Sequence, residues 1–243
     1  MIGPLLRKEL LQVRRSRGAL LSGVLLPLLL MVVMPALQLA SLRAVADTLP
    51  AEPGLGPLPP DLAEPAQLLT HFLLPLMVAI SGLIVPSVAA TYTVVAEHER
   101  RTLELLVALP VRASDLLLAK MLAMLVLGLG VAVPLFVLDA VALVWLGLAD
   151  VGYVLLVLLV LLAALGCSVC EALVLALVAR DLRTTNNLNG ALLAPVSLAT
   201  LAILLGAPPA WRLPALAALL AGLGVLAYVC AWRWLSFERY LAA

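Results

Sequence analysis

Carboxylates set inside apolar runs are the residues of this chain most able to do chemistry. Asp139 and Glu171 each stand in a long apolar stretch, and Gln38 in a third. A charge in hydrocarbon is costly, so such groups tend to mark a substrate, ion or proton route. At ~1.5 Å per helical residue, Asp139 falls nearer the outer face and Glu171 nearer the inner one, so they do not read as one paired site. Glu171 is the sharper candidate: near the inner side it would attract a cation or orient a polar headgroup. The plain alternative for each acid is a protonated group bonded to a neighbouring helix or reaching an interface.

Other chemistries lack their residues. The two lysines, Lys8 and Lys120, lie in no G-x-x-x-x-G-K-[ST] loop, which excludes a P-loop ATPase within this sequence. With only two histidines, His71 and His98, a His-based metal site is not expected. Ser81-Gly82 with His71 suggests an intramembrane serine protease, yet Ala79 stands where a G-x-S-x-G elbow needs glycine. Cys167 and Cys170 form a CxxC in an apolar helix with no second pair, so they and Cys230 read as small packing residues. No cofactor, metal or nucleic-acid partner is expected for the chain.

The elements that position these residues follow from composition. The 243 residues are 65% hydrophobic and 12% charged, with a mean hydropathy of +1.18, too apolar to give a soluble domain its surface. Runs of about 20 apolar residues read as spanning helices. Six are expected, at 18–40, 68–95, 121–148, 151–179, 188–206 and 213–235, in a single all-α transmembrane domain covering 1–243. Of 15 Lys and Arg, only Arg43 and Arg212 fall outside if the N-terminus lies inside, so both termini are expected to be cytoplasmic. The basic start and apolar run imitate a signal peptide, but a run of about 23 residues exceeds the usual ~7–15 and reads as a retained first span. Residues 2–17 have the pattern of an amphipathic interfacial helix, with Ile2, Leu5, Leu6, Leu10 and Val13 on one side and Arg7, Lys8, Arg14 and Arg15 on the other. The outer loop 41–67 holds six prolines, which preclude a regular helix through its centre. Thr184-Thr185-Asn186-Asn187 reads as a polar inner loop that caps the next helix. Trp211 suits the outer interface, and Trp232 and Trp234 the inner one. Prolines 27, 75, 86, 134 and 195 interrupt spans and are expected to kink them.

One polar segment remains, at 96–120. Glu97 to Leu109 reads as a helix, with opposite charges paired at Glu97–Arg101 and Arg100–Glu104. Leu103, Leu106 and Val107 share a side, and Pro110 stops the helix. Ser114 or Asp115 then caps a second helix through Lys120. An apolar helix with a charged rim suits a partner's groove or the membrane surface alike, and the residues alone do not choose.

The segment Glu97-x-Glu99-Arg100-x-Thr102-Leu103-Glu104-x-Leu106-x-x-x-Pro110, with Lys120 leading the next span, resembles the signature of ABC type-2 permeases. Asn189-Gly190, Pro195 and Gly206-x-x-Pro209 are similar to that family's fifth-span region, and residues 2–17 resemble its elbow helix. The resemblance implies a type V, G-subfamily-like exporter fold in a bacterial or archaeal cytoplasmic membrane. It implies a non-catalytic permease subunit for ATP-driven transport, mostly export. ATP and Mg would be bound by a separate ATPase partner, and a second permease copy or homologue would complete the pathway in the lipid bilayer. Glu97, Glu99, Arg100, Thr102, Leu103, Glu104, Leu106 and Pro110 would form the coupling helix in the ATPase groove. Glu171, Asp139 and Gln38 are the candidate pathway residues. The alternatives are a haem-exporter-like subunit of cytochrome maturation, an integral-membrane lipid-modifying enzyme, and a scaffold.

Overall fold

The computed structural model describes residues 3, 7, 11, 17–38, 40, 65–99, 113–178 and 182–234. Among these, everything outside two short turns is helical, and no strand occurs. Helix α1 runs through Arg17–Leu28, a π-helical stretch Leu29–Val33, and on over 34–38. Helix α2 is built alike, from Pro65–Leu68, a π-helical stretch Leu69–Leu73, and Leu74–Glu99. Then follow α3 (Ala113–Trp145), α4 (Val151–Val178), α5 (Leu182–Gly206) and α6 (Pro209–Trp234).

By length and composition, 5 helical stretches suffice to cross a membrane: Leu69–Val88, Leu118–Trp145, Val151–Ala172, Asn187–Gly206 and Pro209–Arg233. The stretch expected as the first span is described as a shorter apolar helix, Gly23–Gln38. Two local expectations need correction. Residues 184–187 form no loop but belong to α5, which starts at Leu182. Thr and Asn have modest helix propensities, but nothing there is Gly or Pro, so the helix extends past its apolar part. Ser114 and Asp115 likewise lie inside α3 rather than ahead of it.

The prolines act through backbone donors. Both π-helical stretches end one residue short of a proline, Pro35 or Pro75. A proline in a helix presses its ring on the carbonyl four residues back, and a locally widened turn relieves that contact. In α2 the Leu74 N–H bonds the Leu69 carbonyl, skipping Thr70. The next backbone nitrogen is Pro75, which has no hydrogen, so Thr70 loses both its α and its π donor. Tyr153 of α4 supplies one: its hydroxyl donates to the Thr70 carbonyl. A loose end made by one helix is thus tied by another.

Helix α4 is the centre of the bundle, held chiefly between α2 and α6. Its Val157, Val160, Leu161, Ala164 and Leu165 are fully buried. Small residues set these seams. A Cβ on Gly82 of α2 would stand 2.7 Å from the Ala164 Cβ, and one on Gly224 of α6 would stand 3.1 Å from the Cys167 Cα. Apolar side chains gain nothing by leaving lipid for protein, so close backbone approach supplies the attraction instead.

The α3–α4 turn is closed at both ends. Gly147, with φ of 69°, ends α3: its N–H bonds the Val144 carbonyl while Leu148 N–H reaches the Leu143 carbonyl. Asp150 starts α4, its Oδ1 accepting the Tyr153 N–H at 3.1 Å.

Candidate functional site

The acids expected to matter are buried where the sequence suggests, on α3 and α4. Asp139 is 9% exposed, and its Oδ2 has no hydrogen-bond partner among the described residues. Glu171 is 8% exposed; its Oε1 accepts a contact from the Cys167 Sγ at 3.7 Å, and its Oε2 has no partner among the described residues. The α3–α4 turn fixes their depths. Counted from that turn, Asp139 lies ~9 Å down α3 and Glu171 ~30 Å down α4, so about 20 Å of depth separates them. They form no joint site.

Glu171 has company at its own depth. Met124 of α3 packs against Val169 and Ala172 of α4, which sets the α3 turn around Met124 beside Glu171. Lys120, one turn further along α3, is buried as well. The acid therefore shares its end of the bundle with a buried ammonium. An unmatched carboxylate oxygen in a water-poor interior is a standing energetic demand, met by a proton, a cation or a donor from something bound.

A second set of polar groups lies at the α2–α4 seam. Ser168, wholly buried, donates to the Leu83 carbonyl, close to Pro86 within the continuous α2. Ser81, also wholly buried, has no partner for its Oγ among the described residues. The serine-protease reading fails on geometry: His71 lies ten residues from Ser81 on one helix, ~15 Å along its axis. His71 instead packs edge-on to Tyr153, with ring centroids 5.9 Å apart.

Gln38 is half-buried at the far end of α1. Glu97 and Glu99 continue α2 without a break after the apolar span. Arg100, Thr102, Leu103, Glu104, Leu106 and Pro110 lie outside the described residues, as do most of 2–17 and residues 41–64 of the expected loop 41–67, whose last three residues instead belong to α2. The three cysteines are free thiols: Cys167 is buried against α6, Cys170 half-buried, and Cys230 exposed. No group of three or more His, Cys, Asp or Glu able to hold a metal occurs among the described residues.

Sequence reasoning weighed Ser81 only as a protease nucleophile and passed over Ser168 and the Tyr153–Thr70 bond. A signal existed for the last, in the Leu74-Pro75 pair, but nothing in the sequence ties it to a tyrosine 83 residues away.

In comparison with known proteins, the family model described as ABC-2 family transporter protein matches residues 4–237. No curated protein and no solved structure is matched.

Proposed function

Because the chain belongs to the ABC-2 family of transporter proteins, we propose that it is the permease subunit of an ATP-binding cassette transporter. It lines the membrane pathway, and ATP is hydrolysed on a separate subunit. The observation that carries this reading is the family match over residues 4–237, which takes in every described helix. The lack of a P-loop around Lys8 and Lys120 agrees with a motor on another chain. The run of apolar helices agrees with a multi-pass membrane protein.

In this reading Gly23–Gln38 is the sixth span, both termini face the cytoplasm, and residues 2–17 form an elbow helix at the inner surface. The segment 96–120 docks on the ATPase. The continuation of α2 to Glu99 supports it, since a helix carried without a break from the bilayer transmits a push along its axis. Closing of the ATPase pair biases the spans between inward- and outward-open states by contacts that differ between the two. Two copies, or this chain and a homologue, face each other across the pathway, and transport runs outward. Glu171 lines the inward cavity, where its unmatched oxygen meets a cation or a donor group of the cargo. The separate depths of Asp139 and Glu171 argue against a lipid-modifying enzyme, which needs its polar groups clustered at one level.

The test is whether a neighbouring gene encodes a P-loop ATPase and whether its product copurifies with this chain, followed by ATPase and flux assays in vesicles. Stable association and ATP-dependent flux are expected. A chain that binds no ATPase, or that assembles and couples unchanged with Glu99→Ala and Arg100→Ala, refutes the docking reading.

A further inference from the structure

Two buried oxygens on neighbouring helices accept from nothing. Glu171 Oε2 on α4 and Asn189 Oδ1 on α5 have no hydrogen-bond partner among the described residues. The α3–α4 and α5–α6 turns lie at one end of the bundle, since Asp150 and Gly152 line the same recess as Pro209 and Ala210. Depth counted from that end is therefore comparable between α4 and α5. Glu171 stands ~30 Å along α4 from Val151, and Asn189 ~26 Å back along α5 from Gly206. The two oxygens share a level to within about 5 Å.

Both residues also belong to faces that meet one gap. On α4, Cys167 lies against Gly224 of α6, and Ser168 donates to the Leu83 carbonyl of α2. Glu171 follows them by four and three positions, which sets it on the α4 face between α6 and α2. Helix α5 packs on α2, on α6 and on α4 itself, so it closes that gap. Its bundle-facing side runs through Thr185, Leu193, Val196, Thr200 and Leu204, with Asn187, Gly190, Ala194 and Leu198 exposed opposite. Asn189 has the spacing of the bundle-facing side. Lys120 belongs to another side of α4: its helix meets α4 at Val169 and Ala172, and it is engaged by an interaction of its own. Acceptors buried without donors call for a bound ion or donor group. We infer that Glu171 and Asn189 form a binding site for a monovalent cation, with a primary ammonium as the group that fits it. An ammonium brings three donors and one positive charge, and it has no acceptor to leave unmatched. A transition metal is the poorer match, because no group of three or more His, Cys, Asp or Glu gathers among the described residues. The inference rests on the reading of Glu171 as a pathway residue, and it names an amine of the cargo or a free ion as what that residue meets.

Calorimetric titration of the purified full chain in a nonionic detergent, without an ATPase, tests this with three probes: hexylammonium, hexanol and ammonium ion. Hexylammonium is expected to bind at least about tenfold tighter than hexanol, and Glu171→Gln to abolish that preference. Asn189→Leu, at a half-buried position, provides a second variant and should reduce the preference about threefold or more. Thermal unfolding shows that each variant is folded. Ammonium ion that competes with hexylammonium keeps the site and adds a free source; hexylammonium binding that ammonium ion leaves untouched assigns the site to an organic amine. Equal binding of hexylammonium and hexanol, the result if a proton already joins the carboxyl to the amide, overturns the proposal. So does an unchanged preference in folded Glu171→Gln or Asn189→Leu. Such a failure leaves the permease reading standing, and a chain that binds no ATPase can still bind the amine, so the two are refuted separately.

Discussion

Removing the Tyr153 hydroxyl isolates a single bond whose need can be traced to one proline. The Thr70 carbonyl loses its α-helical and π-helical donors because Leu74 N–H is turned to Leu69 and Pro75 has none. Tyr153→Phe keeps the ring and its edge-on contact with His71, and deletes only the donor. A side-chain hydrogen bond between helices in a bilayer averages about 0.6 kcal/mol and reaches about 1.7. A buried acceptor left unmatched costs about 1–3 kcal/mol. We expect Tyr153→Phe to lose about 1–2 kcal/mol of stability, toward the upper end of the membrane range because the α and π donors that would otherwise serve this carbonyl are lost at Leu74 and Pro75. Pro75→Ala provides the control, since an alanine at that position brings an N–H that can close the i→i+5 bond onto Thr70. In that background Tyr153→Phe should lose much less, giving a coupling of about 1 kcal/mol in the double-mutant cycle. Unfolding in mixed micelles, with all four proteins titrated by a denaturing detergent, measures it. Should Tyr153→Phe cost the same in the Pro75→Ala background as in the wild type, the account of the π-helical turn is wrong.

The other expectations concern packing, charge and accessibility. Gly224→Val sets a side chain against the α4 backbone at Cys167 and should destabilise by about 1–3 kcal/mol, whereas Gly222→Val, with open space around it, should be near neutral; thermal unfolding of both compares them. Glu171→Leu should raise the unfolding midpoint, because it replaces a buried, half-satisfied carboxylate, and should depress transport; flux equal to wild type would remove Glu171 from the pathway. A membrane-permeant maleimide should label Cys230 in the folded protein and reach Cys167 only after unfolding, which peptide mass mapping detects.

The helices were legible in the sequence because each apolar run has a length that water would not tolerate and a bilayer requires. Their ends were less so. A run such as Thr184–Asn187 is polar enough to look like a loop, yet a helix that leaves the membrane has no reason to stop at the interface unless a glycine or proline stops it. Asp139 and Glu171 stood out as candidates since an ionisable group in an apolar run is visible without any structure. What each touches was not legible. The contact of Cys167 with Glu171 follows from i,i+4 spacing, but the neighbours of Ser81, Ser168 and Arg212 depend on which helices meet. Pro75 was recognisable as a break, while its remedy lay on α4. Contacts between helices far apart in sequence carry no periodic signature, and the polar seam is made of such contacts.

The place of α4 also bears on the order in which the protein is made. The central helix is the fourth of the six described helices to leave the ribosome. One wall of its seat, α2, already exists by then, and the other, α6, is the last of them to be synthesised. Until Gly224 arrives, the α4 face at Gly166 and Cys167 has only lipid against it. The bundle therefore closes only once α6 has been made, and a chain truncated before α6 loses one whole side of its core, not merely a peripheral helix.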